Sequence, residues 1–224
     1  MKKLIVFMLS VVLLGSCGKS EYVEIPDENF EYHLILNGVD DYIDGQVLRT
    51  SAEAATALDM RSNPASGNSD YRITSLSGIE SFTNLYSLIA LDNEISGTVD
   101  ISSLVNLVTL EISPNYHLSF NGEWELILGD ITKLEYVSAV SISNTSLDFT
   151  NNTNLKRLNL TAEALNCINL KFISVPNSGS FNGNWSVGPN LNCAEVSNPN
   201  DWEARYPNGW SGNADIFSIN CGCF

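Results

Sequence analysis

One apolar pattern recurs from residue 55 onward, and it restricts how the chain can fold more than anything else in it. It reads L-x-x-L-x-L-x-x-N, or a degraded form of that string. Leu107, Leu110, Ile112 and Asn115 fit it fully, and Leu85, Leu88, Ala90 and Asn93 fit with one small residue. Leu155, Leu158 and Leu160 follow it until Glu163 takes the Asn place, and Leu134, Val137 and Ala139 until Ile142 does. Ala55, Leu58, Met60 and Asn63 make a weaker first copy. Around L-x-L, alternate residues point to opposite faces, so Leu110 and Ile112 point inward while Thr109 and Glu111 face out. One such coil cannot bury its own apolar side, but stacked coils share a continuous core. The turn Asn can bond backbone groups that the bend leaves unpaired. Glu163 and Ile142 cannot do this in the same way, so their turns should be less regular.

The anchors Leu85, Leu107, Leu134 and Leu155 lie 22, 27 and 21 residues apart, a period in the range of leucine-rich repeats. Three of them share a lead-in: Thr83-Asn84-Leu85, Thr132-Lys133-Leu134 and Thr153-Asn154-Leu155. The expected fold is a leucine-rich repeat solenoid, with short parallel strands on one side and an irregular or short helical convex side. Residues 123–128 read as such a helix, with Trp124, Leu126 and Ile127 packing inward.

The chain opens with Met1-Lys2-Lys3, an apolar run from Leu4 to Leu14 broken only by Ser10, and Leu14-Gly15-Ser16-Cys17. A positive start, a short apolar stretch and small residues before a cut are the parts of a secretory signal, and the run is too short to span a bilayer. Leu14 to Cys17 resembles a bacterial lipobox, which makes Cys17 a lipid attachment site; several acyl chains together give a stable membrane anchor. Gly18, in place of Asp, resembles lipoproteins that are not retained at the inner membrane. Lys19, Glu21 and Glu24 resemble the lysine-plus-acid tag of surface-exposed lipoproteins in Bacteroidetes-type bacteria. The expectation is an outer-membrane lipoprotein, with its periplasmic or outward exposure left open.

Eleven Lys and Arg face 26 Asp and Glu, a net charge of −15. Removing residues 1–16 takes two lysines and no acid, which leaves −17. Such a surface repels phosphate backbones, so no nucleic-acid partner is expected.

Four cysteines follow Cys17: Cys167, Cys193, Cys221 and Cys223. In an oxidising compartment they read as disulfides, with three pairings open. Cys221 and Cys223 are poorly placed to bond each other. Cys193 with Cys221, leaving Cys167 with Cys223, is the pairing we favour. The spacing lacks a C-x2-C pair, and His33 and His117 lie far from the cysteines in sequence, so no metal site is expected.

Residues 27–36 read as a helix, with Asp27 as its cap, Glu28 and Glu31 in the first turn, Phe30, Leu34 and His33 on one side, and Asn37-Gly38 as its stop. Asp40-Asp41-Tyr42-Ile43-Asp44-Gly45 invites a calcium reading, but Tyr42 and Ser51 stand where such a loop needs ligands. An acidic turn feeding a strand at Val47 fits better. Trp185, Trp202 and Trp210 offer either an aromatic platform for a glycan or a cover for the last core layer, and the second is favoured. No G-x-S-x-G, H-E-x-x-H, G-x-x-x-x-G-K or G-x-G-x-x-G motif is present, and chance carboxylate pairs carry no signal in so acidic a chain. The chain reads as a non-enzyme without a cofactor.

A family resemblance adds to this. It starts at Ile25-Pro26-Asp27-Glu28-Asn29-Phe30, continues through Asp44-Gly45-Gln46-Val47-Leu48 and Leu76-Ser77-Gly78-Ile79-Glu80-Ser81-Phe82, and runs on through the repeats. It resumes at Pro189-Asn190-Leu191-Asn192-Cys193 and ends near Phe217-Ser218-Ile219-Asn220-Cys221. In that order the segments resemble the secreted or lipid-anchored leucine-rich repeat proteins of Bacteroidetes-type bacteria. Residues 62–72, the long third repeat and residues 172–188 depart from the pattern. The resemblance implies that the N-terminal helix caps the first coil. The division is then a signal peptide (1–16), a lipidated tether (17–26), an N-terminal cap (27–54), repeats (55–166) and a disulfide-stabilised C-terminal repeat and cap (167–224).

The expected function is a lipid-anchored envelope protein that binds a protein partner through its exposed strand face. Alternation nominates Arg61, Tyr86, Ile89, Thr109, Glu111, Tyr136, Ser138, Lys156, Arg157 and Asn159 as contact residues; Tyr and Arg often carry interface energy. The alternative is a glycan-binding or glycan-processing accessory lipoprotein that uses the tryptophans. A plain envelope spacer is the third option.

Overall fold

The structure, a computed structural model, describes residues 19–62, 71–114, 124–162, 164–173, 191–205 and 217–222. The signal segment, Cys17, Asn63, Asn115, His117, Glu163, Trp185, Trp210 and Cys223 lie outside the described residues.

The chain winds as a leucine-rich repeat β-solenoid. On one face, β3 (Ala57–Asp59), β4 (Ser87–Asn93), β6 (Thr109–Pro114), β8 (Tyr136–Val140) and β10 (Arg157–Thr161) form a parallel sheet in that order. On the other, β5 (Gly97–Asp100) pairs with β7 (Trp124–Ile127), and β9 (Ser146–Asp148), β11 (Cys167–Asn169), β12 (Cys193–Glu195) and β13 (Phe217–Ser218) form a second parallel run. Among the described residues, the coils of β4, β6, β8 and β10 thus each carry one strand on each face, the second being β5, β7, β9 and β11. The convex side therefore carries parallel strands where irregular or short helical segments were expected. The predicted helix at residues 123–128 is β7. Trp124 and Leu126 point inward as expected, but Ile127 is 42% exposed, because a strand alternates its side chains.

The interior is lined in rows, one residue per coil. Leu58, Leu88, Leu110, Val137 and Leu158 form one row, and Met60, Ala90, Ile112, Ala139 and Leu160 the next; none is more than 2% exposed. The anchors Leu85, Leu107, Leu134 and Leu155 are buried beside them, and Val99, Leu126, Leu147, Ile168 and Ala194 close the core from the other face. Burying a leucine contributes about 1.5–3 kcal/mol, and each row is dry only because the next coil covers it.

Amide side chains finish the bends. Asn93, fully buried, accepts from Ile73 N–H at 3.0 Å and donates to the Met60 and Leu91 carbonyls. Ile142 occupies the matching place after β8 and packs into the core. The lead-in asparagines join one coil to the next. Asn84, Asn106 and Asn154 each donate to a carbonyl of the preceding coil, those of Glu53, Thr83 and Thr132. At Gly129 the coils nearly touch, since a Cβ there would sit 2.6 Å from Ser102 Cα.

The first coil is covered by β1 (Tyr22–Glu24) paired antiparallel with β2 (Gln46–Leu48), and by α1 (Glu28–Leu36) and α2 (Arg49–Ala54). Asp27 caps α1 and Asn37 ends it, as the sequence suggests. Phe30 and Leu34 are fully buried, and the Phe30 ring meets Phe82. The acidic turn does lead into β2. Its amides, those of Asp44, Gly45 and Gln46, are held at 2.9–3.0 Å by the fully buried Glu31 carboxylate. Burial pushes the Asp40 carboxyl up, and the neighbouring carboxylates of Glu31, Asp44 and Asp41 add to that.

At the other end, Cys193 bonds Cys221, the favoured pairing. Cys167 is also disulfide-bonded, and its expected partner, Cys223, lies outside the described residues. Trp202, on α3 (Pro199–Arg205), is 1% exposed and packs 5.7 Å from the Phe217 ring. Glu195 takes Lys171 at 2.9 Å and Cys221 N–H at 3.3 Å; the Lys171 ammonium holds its carboxyl below the usual range.

Candidate functional site

Of the ten residues nominated by alternation, seven fall into two outward rows of the five-stranded sheet, Tyr86 and Lys156 stand just before β4 and β10, and Arg61 is apart. Ser87, Thr109, Tyr136 and Arg157 are register partners on β4, β6, β8 and β10. Two residues further along come Asp59, Ile89, Glu111, Ser138 and Asn159, again in register. Arg61 is exposed just beyond β3, 3.3 Å from Asp59. It is not among the residues that line the groove on this face.

Tyr86, Thr109, Tyr136, Lys156 and Arg157 line a groove of about 330 Å³ at the start of the strands, together with Val108 and Glu135. Sequence alternation missed these last two because the backbone breaks alternation just there. Tyr86 and Ser87 N–H both donate to the Thr56 carbonyl, Val108 and Thr109 to Tyr86, Glu135 and Tyr136 to Val108, and Lys156 and Arg157 to Glu135. Two successive N–H groups on one acceptor make a bulge, which turns neighbouring side chains toward the same side. The consecutive pair Lys156-Arg157 is the sequence signal that could have revealed it.

One nominated residue needs correcting. Ser138 faces outward but is only 7% exposed, and its hydroxyl accepts from Asn159 Nδ2 at 3.1 Å. Alternation fixes which side of a sheet a residue faces, while the side chains of adjacent strands decide whether a small one is reached by solvent. Tyr86, by contrast, is 57% exposed. Ile89, Glu111 and Asn159 are half-buried.

The groove carries uneven charge. Lys156 Nζ lies 2.7 Å from Glu135. The Arg157 side chain has no hydrogen-bond or ion-pair partner among the described residues. The surface so built, with two phenol rings, a threonine hydroxyl and a free guanidinium, is suited to recognition. Among the described residues no group of three His, Cys, Asp or Glu side chains is arranged to hold a metal ion, and no helix is long and apolar enough to cross a membrane. The three-tryptophan platform loses Trp202, whose ring covers the last core layer.

No family model matches the chain, and no curated protein matches it. Among solved structures, it is similar to the functional domain of InlJ from Listeria monocytogenes, which includes a cysteine ladder: 18% identity, TM-score 0.42, covering 82% of this chain and 50% of that one. It is also similar to an internalin, InlF, from Listeria monocytogenes: 17% identity, TM-score 0.41, covering 77% and 56%. The chain thus spans about half the length of these two proteins. Its assignment as a leucine-rich repeat solenoid rests on its own strand register and its leucine rows.

Proposed function

We propose that this is a lipid-anchored cell-envelope protein, without enzymatic activity, that holds a protein partner across the strand starts of its five-stranded face. The observation that carries the reading is the groove in which Tyr86, Thr109, Tyr136, Lys156 and Arg157, drawn from four successive coils, converge. A solenoid offers such a face because its repeats place one outward residue per coil at a fixed spacing. Tyrosine and arginine contribute more to binding than most types when a partner covers them. The lipobox-like Leu14-Gly15-Ser16-Cys17 supports anchoring through Cys17.

Capture from envelope and host extracts by a soluble form, compared with the double variant Tyr86→Ala/Tyr136→Ala, tests this. A partner held by the wild type should be lost at least about tenfold in the variant, with cooperative melting retained, because Tyr86 is largely exposed and Tyr136 half-buried, outside the core. Equal capture would remove the reading. In the full chain, Cys17→Ser should abolish incorporation of labelled palmitate.

A further inference from the structure

We infer that the groove takes an acidic segment of its protein partner, with a partner carboxylate pairing to Arg157. The inference rests on the groove being a contact surface and adds the chemistry of what it holds.

The charge balance gives the first argument. The chain carries 26 acidic and 11 basic side chains, so at long range it repels acidic partners. In the groove that sign is locally reversed. The charges of Glu135 and Lys156 cancel at 2.7 Å, which leaves Arg157 uncompensated, exposed and with no side-chain partner among the described residues. A guanidinium presents donors in a flat fork that matches a carboxylate in two parallel bonds.

The neighbours give the second. Tyr136 is the register partner of Arg157, Thr109 comes next in the row, and Tyr86 stands at the far end of the groove. Strands lie about 4.8 Å apart, so the row from β4 to β10 is about 14 Å long, the length of a few extended residues. An exposed ion pair alone binds weakly. Here the tyrosine faces supply contact area while Arg157 fixes orientation and speeds encounter. Asn159, two residues along β10, is already engaged with Ser138, while Arg157 at that strand start has no side-chain partner among the described residues.

Peptides selected from a random display library on the soluble folded protein test the inference. Recovered peptides should be enriched in Asp and Glu, bind about tenfold or more weakly to Arg157→Glu, and lose affinity as salt rises. Lys19→Glu, the same charge change placed elsewhere, should leave binding as it was. Arg157→Gln supplies a second, milder variant, and both should melt like the wild type because the Arg157 side chain makes no bond among the described residues. Uncharged or basic peptides that are lost on Tyr86→Ala/Tyr136→Ala would overturn the acidic partner and leave the contact surface standing. No retained peptide, or peptides indifferent to every groove variant, would overturn both. Binding of a sulfated oligosaccharide through Arg157 without any acidic peptide would also overturn the inference.

Discussion

Two buried carboxylates and one histidine tie the N-terminal end to the first coil. Asp27 splits its oxygens: Oδ1 accepts from the α1 amides of Asn29 and Phe30, and Oδ2 from the Thr74 and Ser75 amides and the Thr74 hydroxyl. One side chain thus caps a helix and fastens it to a segment more than forty residues away. The sequence declares only the first half of that role. Glu31 acts in a similar way on the acidic turn. His33, 5% exposed, meets the Tyr71 carbonyl at 3.1 Å through Nε2, beside the stacked Tyr32 and Tyr71 rings. Burial lowers its pKa from 6.5, partly offset by the Tyr71 bond and by Asp27 and Asp59. Well above pH 6.5 the ring is neutral in both states and its contribution is whole. As pH falls through that value the unfolded chain takes up the proton and the folded one does not, so stability is lost until the lower folded value is passed. Between about pH 7.5 and about pH 5 the wild type should therefore lose more stability in denaturant titrations than His33→Gln. Parallel losses would contradict this.

Among the elements, the strands of the five-stranded face were readable because an apolar pair spaced as in L-x-L, from Leu58 and Met60 to Leu158 and Leu160, appears in every one of them. β7 was not. Its four residues, Trp124–Ile127, are too few for periodicity to separate a helical turn from a strand. What decides is parallel pairing with β5, residue for residue from Gly97↔Trp124 to Asp100↔Ile127, and such non-local pairing leaves no mark in a single stretch of sequence. The same holds for the join between β7 and β9. After the bridge of Trp124 with Ile142, the Asn144 side chain stands in for a strand: Oδ1 accepts from Leu126 N–H at 2.9 Å, and Nδ2 donates to the Leu126 carbonyl at 3.0 Å. Asn144 is 8% exposed, so Asn144→Ala leaves a buried donor and acceptor unpaired. It should cost about 2–4 kcal/mol in denaturant unfolding, and a loss near zero would show that water or a neighbour replaces the amide.

At the scale of the whole molecule, the core was legible and the site only in part. Leucine spacing gave the coil, the inward rows and the outward row, because burial imposes a period on composition. The groove needed the backbone bulge before each strand, which recruits Val108 and Glu135 and which no alternation rule contains. Exposure within the row needed the neighbours, as Ser138 demonstrates. The two faces also differ: outward on the second sheet lies Ile127, while the first carries the tyrosines and Arg157. That asymmetry lies at the centre of the functional account. It is tested most directly by placing one photoreactive aromatic residue at position 136 or at position 127 of the anchored protein on intact cells. A covalent partner adduct is expected from position 136 and none from position 127. Equal adducts from both, or an adduct from 127 alone, would contradict it.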